Sequence, residues 1–177
     1  MTPQDAKLMA AYNRWMNQRM YAAAGTLTED ALAQERGAFF GSILATLNHI
    51  AVADTIWLHR FSSPESAVAL RAALVDFPLP TSLRQPLAGS FAQLRQHRAA
   101  LDQVITDWVG TLDAVALAGS LSYRNTAGTP FTRGWHQLLA HFFNHQTHHR
   151  GQASTLLHQA GVDVGVTDLI ALPDEAL

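Results

Sequence analysis

From Phe39 to Phe61 the chain is apolar on nearly every side of a helix. Such a segment has to be covered by other elements, so it belongs at the centre of a helical fold. Three further segments carry narrower apolar stripes at three- and four-residue steps and can supply that cover. In the first, Pro3 and Asp5 open a helix, Leu8, Tyr12, Trp15, Met16 and Met20 form its stripe, and Gly25 closes it. Thr28-Glu29-Asp30 starts the second segment in the chain, the one that carries the all-round apolar stretch to Phe61, with a break near Gly37. A third helix spans Leu87 to Val109, with Phe91, Leu94, Leu101, Val104, Ile105 and Trp108 inside and Gly110 as its stop. Thr132 is expected to cap a fourth helix from Gly134 to Gln159, with Gly161 just past its end.

The connections are less regular. Residues 64–85, rich in proline, read as a long crossover with one short helical turn. Between 114 and 133 the helical rhythm breaks. Leu121, Tyr123 and Asn125, the turn Thr126-Ala127-Gly128, and Thr129 to Phe131 predict a two-stranded hairpin. The tail from Val162 is extended, part of it packing back on the helices. The expectation is an all-α fold, a four-helix bundle with a small β-hairpin between helices 3 and 4. Residues 1–177 are expected to form a single domain, long enough to bury a full core.

Composition removes several classes of function. The absence of cysteine excludes disulfides, thiolate metal sites and a cysteine nucleophile. A net charge of −2, with the two signs interspersed, is unlike a nucleic-acid binder. No leader pattern and no bilayer-length apolar run are found, so a soluble cytoplasmic protein is expected, without nucleic-acid or membrane partners.

Nine histidines stand against twelve Lys plus Arg, and five of the nine fall between His136 and His149. Histidines four residues apart lie one turn apart on one helix face, so both rings reach one ion. Two such pairs exist, 141/145 and 145/149. At about 100° per residue, with His141 at zero, Leu138, Phe142, Ala153, Leu156 and Leu157 centre the buried face at roughly 100°. His149 falls near about 80° and His145 near about 40°, both inward, while His141 and His148 lie at about 0° and −20°, on the edge. His158 points out. The inward pair is therefore His145 and His149. Two buried imidazoles without an acidic neighbour need a partner, and a metal ion is one. His49, inside the all-round apolar helix, is the candidate third ligand, with Ser42 and Ala53 leaving room beside it. A core histidine held by a hydrogen bond is the competing reading of His49.

Other side chains carry paired readings. Asp54 either orients a ligand histidine or is structural, pairing with an arginine or capping backbone. Arg60 and Arg150 either bind an anionic substrate or serve as ion-pair partners or solvated ends. Trp57 and Trp135 line a pocket or fill the core. Gly151 permits close helix approach or is a tolerated helix glycine. Tyr12 and Asn48 are candidate polar groups of a pocket.

The stretch Gly37–His49 with Asp54, Trp57, Arg60 and Phe61, and the segment His141-Phe-Phe-Asn-His145-Gln-Thr-His148-His149-Arg150-Gly151-Gln152, together resemble the DinB family of DinB/YfiT-like metalloenzymes. The likeness extends to Tyr12, Trp15, Gly161 and Thr167-Asp168. It implies an up-down-down-up bundle and a metal held by three histidines, which fall on His49, His145 and His149. It further implies nickel, zinc or iron as the metal, a homodimer, and for some relatives S-transfer from a low-molecular-weight thiol to a small-molecule substrate. The resulting expectation is a metal-dependent enzyme of the S-transferase type. The alternatives are a metal-dependent hydrolase, a non-enzymatic metal-stabilised dimeric module, and a metal-free bundle.

Overall fold

The computed structural model describes residues 1–177. Four long helices form the body: α1 (Pro3–Ala24), α3 (Ile43–Phe61), α5 (Phe91–Gly110) and α7 (Trp135–Gln159). Three short helices, α2 (Glu29–Ala33), α4 (Val68–Ala73) and α6 (Ala114–Ala118), sit in the connections. The expected hairpin is present: β1 (Ser120–Arg124) pairs antiparallel with β2 (Pro130–Gly134), Leu121 opposite Arg133 and Tyr123 opposite Phe131.

Helix α1 packs chiefly on α5, and α3 on α7. Side-chain contacts set the directions. Tyr21, late in α1, stacks on Phe91 at the start of α5 and donates its hydroxyl to the carbonyl of Leu47, early in α3. Phe61, at the end of α3, and Trp108, near the end of α5, both meet Trp135, the first residue of α7. Helices α3 and α5 therefore run opposite to α1 and α7, which is the up-down-down-up order. As expected, α3 is the most enclosed helix, with every residue from His49 to Leu58 buried.

Several boundaries differ from the sequence reading. The expected break near Gly37 is present but wider than a kink: α2 ends at Ala33 and α3 starts only at Ile43, capped by Ser42. Between them a tight turn bonds Gly41 to Ala38, with Gly41 at φ +89°, and leaves Phe39 exposed while Phe40 points inward. Helix α5 begins at Phe91 rather than Leu87, because the Ser90 side chain accepts from the Gln93 N–H and caps it there. Thr132 does not cap α7; it lies in β2 with its hydroxyl on Ser122, and Gly134 takes the cap position. Gly25 ends α1 in right-handed conformation, so its freedom at positive φ is not used. Gly161 does use it, at φ +81°, where the Val162 N–H reaches the Leu157 carbonyl and the Gly161 N–H that of His158. The tail packs back on α1, with Tyr12 donating to the Thr167 carbonyl and Arg19 to that of Val164.

The α1 stripe holds the largest surprise. Asn13 and Asn17 are buried, whereas Leu8 and Trp15 are only half-buried. Both asparagines donate to Asp102 of α5, which accompanies the buried Arg98. Arg98 also bonds Asp54 of α3 at 2.6 Å, and Gln146 of α7 donates to the other Asp54 oxygen at 3.0 Å. Arg150 of α7 donates to Asn13 and closes the set. A polar layer contributed by all four long helices thus crosses the bundle interior. Burial works against the Arg98 charge, but Asp102 and Asp54 outweigh it and push its pKa up. Burial pushes the Asp102 carboxyl up to about 6, against the pull of Arg98.

Candidate metal centre

His49, His145 and His149 come together between α3 and α7. One ring nitrogen from each lies within 4.8 Å of the other two. Ring centroids are 4.4 Å apart for His145 and His149, 4.6 Å for His49 and His149, and 5.3 Å for His49 and His145. His145 and His149 meet because they are successive turns of one helix face. His49 reaches them because the break before Ile43 places it early in α3, beside the middle of α7.

The protonation of two rings follows from their partners. The carbonyl oxygen of Leu83 can only accept, so His49 Nδ1, 3.1 Å away, carries the proton. His149 Nδ1 likewise donates to Gln152 Oε1 at 2.7 Å. Both rings are thereby fixed with Nε2 free as a lone-pair donor. Gln152 is itself braced by its amide group against His148 Nε2 at 3.3 Å. His148, at the edge of the face as expected, thus orients a neighbour of the cluster.

Burial holds all three imidazoles in the neutral form. It lowers His49 to about 4, against the bond to Leu83. His145 falls to about 3 through burial and then the neighbouring His149 and His49. His149 is lowered too, burial outweighing its bond to Gln152. No acidic side chain joins the group. Neutral imidazoles suit zinc, nickel, iron or copper rather than magnesium or calcium. The donor set fits a divalent ion, and three protein ligands leave coordination positions for something else.

Around the cluster, Phe40 stacks on His49 at 3.8 Å between centroids. Asn48 bonds the connector twice, donating to the Gln85 carbonyl and accepting from the Leu87 N–H. Asn48 therefore seats the strand of chain that carries Leu83, a role its sequence position did not announce. His141 is brought near but not in; it lies against Trp57 at 5.1 Å, 6.0 Å from His145.

The paired readings resolve. Asp54 is the arginine partner, engaged by Arg98 and Gln146 and bonded to none of the three histidines. Arg150 belongs to the polar layer. Tyr12 is tied to the tail. Trp57 and Trp135 pack in the aromatic core around Phe61. Nothing lies within 4 Å of a Cβ built on Gly151, so it permits no close helix approach. Arg60 has no ion pair and instead lies over the rings of Trp57 and Tyr123. The buried polar layer was missed: Asn13, Asn17, Arg98, Asp102 and Gln146 carry no local signal of pairing, only their recurrence on otherwise apolar faces.

The chain is 26% identical over 159 residues to Protein DinB of Bacillus subtilis (strain 168), covering 89% of this chain and 87% of that protein. The profile of the DinB family matches residues 1–176. With the bundle, the hairpin and the three-histidine group in view, this chain belongs to the DinB family.

Proposed function

We propose that the protein is a metal-dependent enzyme whose single divalent ion is held by His49, His145 and His149. The observation that carries this reading is the donor set: three neutral imidazoles within ligand reach of one another, two with Nε2 kept free by fixed Nδ1–H bonds. A histidine trio without carboxylate leaves the ion's charge uncompensated by protein, which favours an anionic or ionisable ligand at its open positions. When bound, such an ion supplies Lewis acidity and acidifies a thiol or water in its coordination sphere. Phe40 and the 83–87 connector then shield the His49 side from solvent, while half-buried His145 leaves an approach from the α7 side.

The family likeness favours transfer from a low-molecular-weight thiol to a small-molecule substrate over hydrolysis, with nickel, zinc or iron as the metal and a homodimer as the working form. One domain spans 1–177 in this reading, and the cytoplasm is its expected compartment.

Elemental analysis of tag-free protein tests the core of the proposal. About one equivalent of metal in the wild type, lost in His145→Ala, is expected, followed by metal-dependent thiol consumption in a screen of electrophiles. No metal in either protein after incubation with nickel, zinc and iron overturns it.

A further inference from the structure

A groove of about 400 Å³ opens on the outer side of α3, between its last two turns, the 79–83 connector and the hairpin turn. None of the three clustered histidines lines it, but Leu83, whose carbonyl holds His49, forms part of its wall. Its apolar lining is buried Ile56 on the floor, with exposed Leu79 and Leu83 on the connector wall. Its charged groups are all of one sign: Arg60 and Arg124 line it, and no Asp or Glu does.

The arginines are not used up within the protein. Arg60 forms neither a hydrogen bond nor an ion pair; its guanidinium lies 4.5 Å over the Trp57 ring and 5.3 Å from that of Tyr123. Stacking of this kind orients the flat group while leaving its edge N–H donors free, the geometry suited to forked recognition of a carboxylate. Arg124 spends Nη1 on the Gly128 carbonyl, which steadies the turn and leaves Nε and Nη2 free. Asn125 accepts from Ala127 and Thr129 through its oxygen, so its amide N–H groups remain free as well. Both arginines line the groove with N–H donors left for an anion, and no acidic side chain there competes for them.

We propose that this groove binds a small organic carboxylate, its charged end on Arg60 and Arg124 and its apolar body on Ile56, Leu79 and Leu83. The assignment rests on the groove alone and stands or falls separately from the metal reading.

Titrations of the full chain in EDTA, followed by NMR at the Arg60 Nε–H and at the amides of 79–83 and 124–126, test it. The probes are benzoate, hexanoate, benzyl alcohol and inorganic phosphate. Saturable shifts at those positions with benzoate or hexanoate, at least tenfold weaker in both Arg60→Gln and Arg124→Gln, are expected, with no response to benzyl alcohol. Arg124→Gln alters an exposed residue, and unchanged ligand-free amide positions across 79–83 and at Thr126 show that the turn and groove keep their shape, so its loss of binding reports the missing cation. The proposal is overturned if neither carboxylate shifts these positions, if the variants bind as the wild type does, or if phosphate binds as tightly as benzoate and shows the apolar floor to be idle.

Discussion

His49 donates its Nδ1–H to the carbonyl of Leu83, a residue 34 positions further along the chain, at 3.1 Å. The partner is backbone, so its position depends on what seats the connector, and that is Asn48, through Gln85 and Leu87. Replacing Asn48 by Ala removes both bonds without touching a candidate ligand. Metal stoichiometry should persist in Asn48→Ala while affinity falls about 10-fold, the usual effect of losing outer support for a ligand histidine. Competition with a chromophoric chelator measures it, and unchanged affinity would show that the connector does not orient His49.

The polar layer predicts an ordering of stabilities. Arg98→Met leaves Asp54 and Asp102 buried without their cation, whereas Asp54→Leu leaves Arg98 still paired with Asp102 at 2.9 Å. Breaking a buried pair by removing one partner costs about 3–5 kcal/mol. Arg98→Met should lie at the upper end of that range or beyond it, and Asp54→Leu at the lower end. Urea denaturation of the two variants in EDTA decides the order.

Stability of the metal-free protein should fall in mild acid. The three imidazoles have folded pKa values below the ordinary 6.5, about 4 for His49 and about 3 for His145. The unfolded chain takes up their protons first, so their contribution is complete above pH 6.5 and is lost as pH falls towards the folded values. Asp102, raised to about 6, acts in the opposite sense, since its buried charge is relieved below that pH. The useful measurement is therefore the drop in Tm between pH 7.5 and 5 in EDTA, compared between wild type and His145→Phe. A smaller drop in the variant is expected; equal drops would mean that His145 titrates normally.

Gly161 sits at φ +81° in the turn that ends α7. A side chain there meets no neighbour within 4 Å, so the penalty of Gly161→Ala is conformational alone. About 1–2 kcal/mol of destabilisation is expected, the cost of left-handed backbone for an L-residue. The same change at Gly110, which has open space around it and no positive φ, should be close to neutral by thermal melting.

Much of this architecture was legible in one dimension. Helical period depends on local spacing, and so α1, α3, α5 and α7 were recognisable from their stripes, as was the hairpin around Gly128. The inward turn of His145 and His149 also follows from angular position on a single helix. Boundaries set by polar caps were less clear: Ser90 competes with Leu87 for the start of α5, and an apolar run hid the start of α3 behind Phe39 and Phe40.

Sequence alone thus determined which helices form, that they make a bundle, and which histidines of α7 face its interior. Only the tertiary structure decided that Asn13, Asn17, Asp54, Arg98, Asp102, Gln146 and Arg150 share one layer, and that Leu83 and Gln152 set the tautomers of His49 and His149. The physical reason is the nature of the forces. Apolar burial is non-directional and writes itself as periodicity. A buried polar group is tolerable only opposite a particular partner, and that partner comes from a helix or loop far away in the chain.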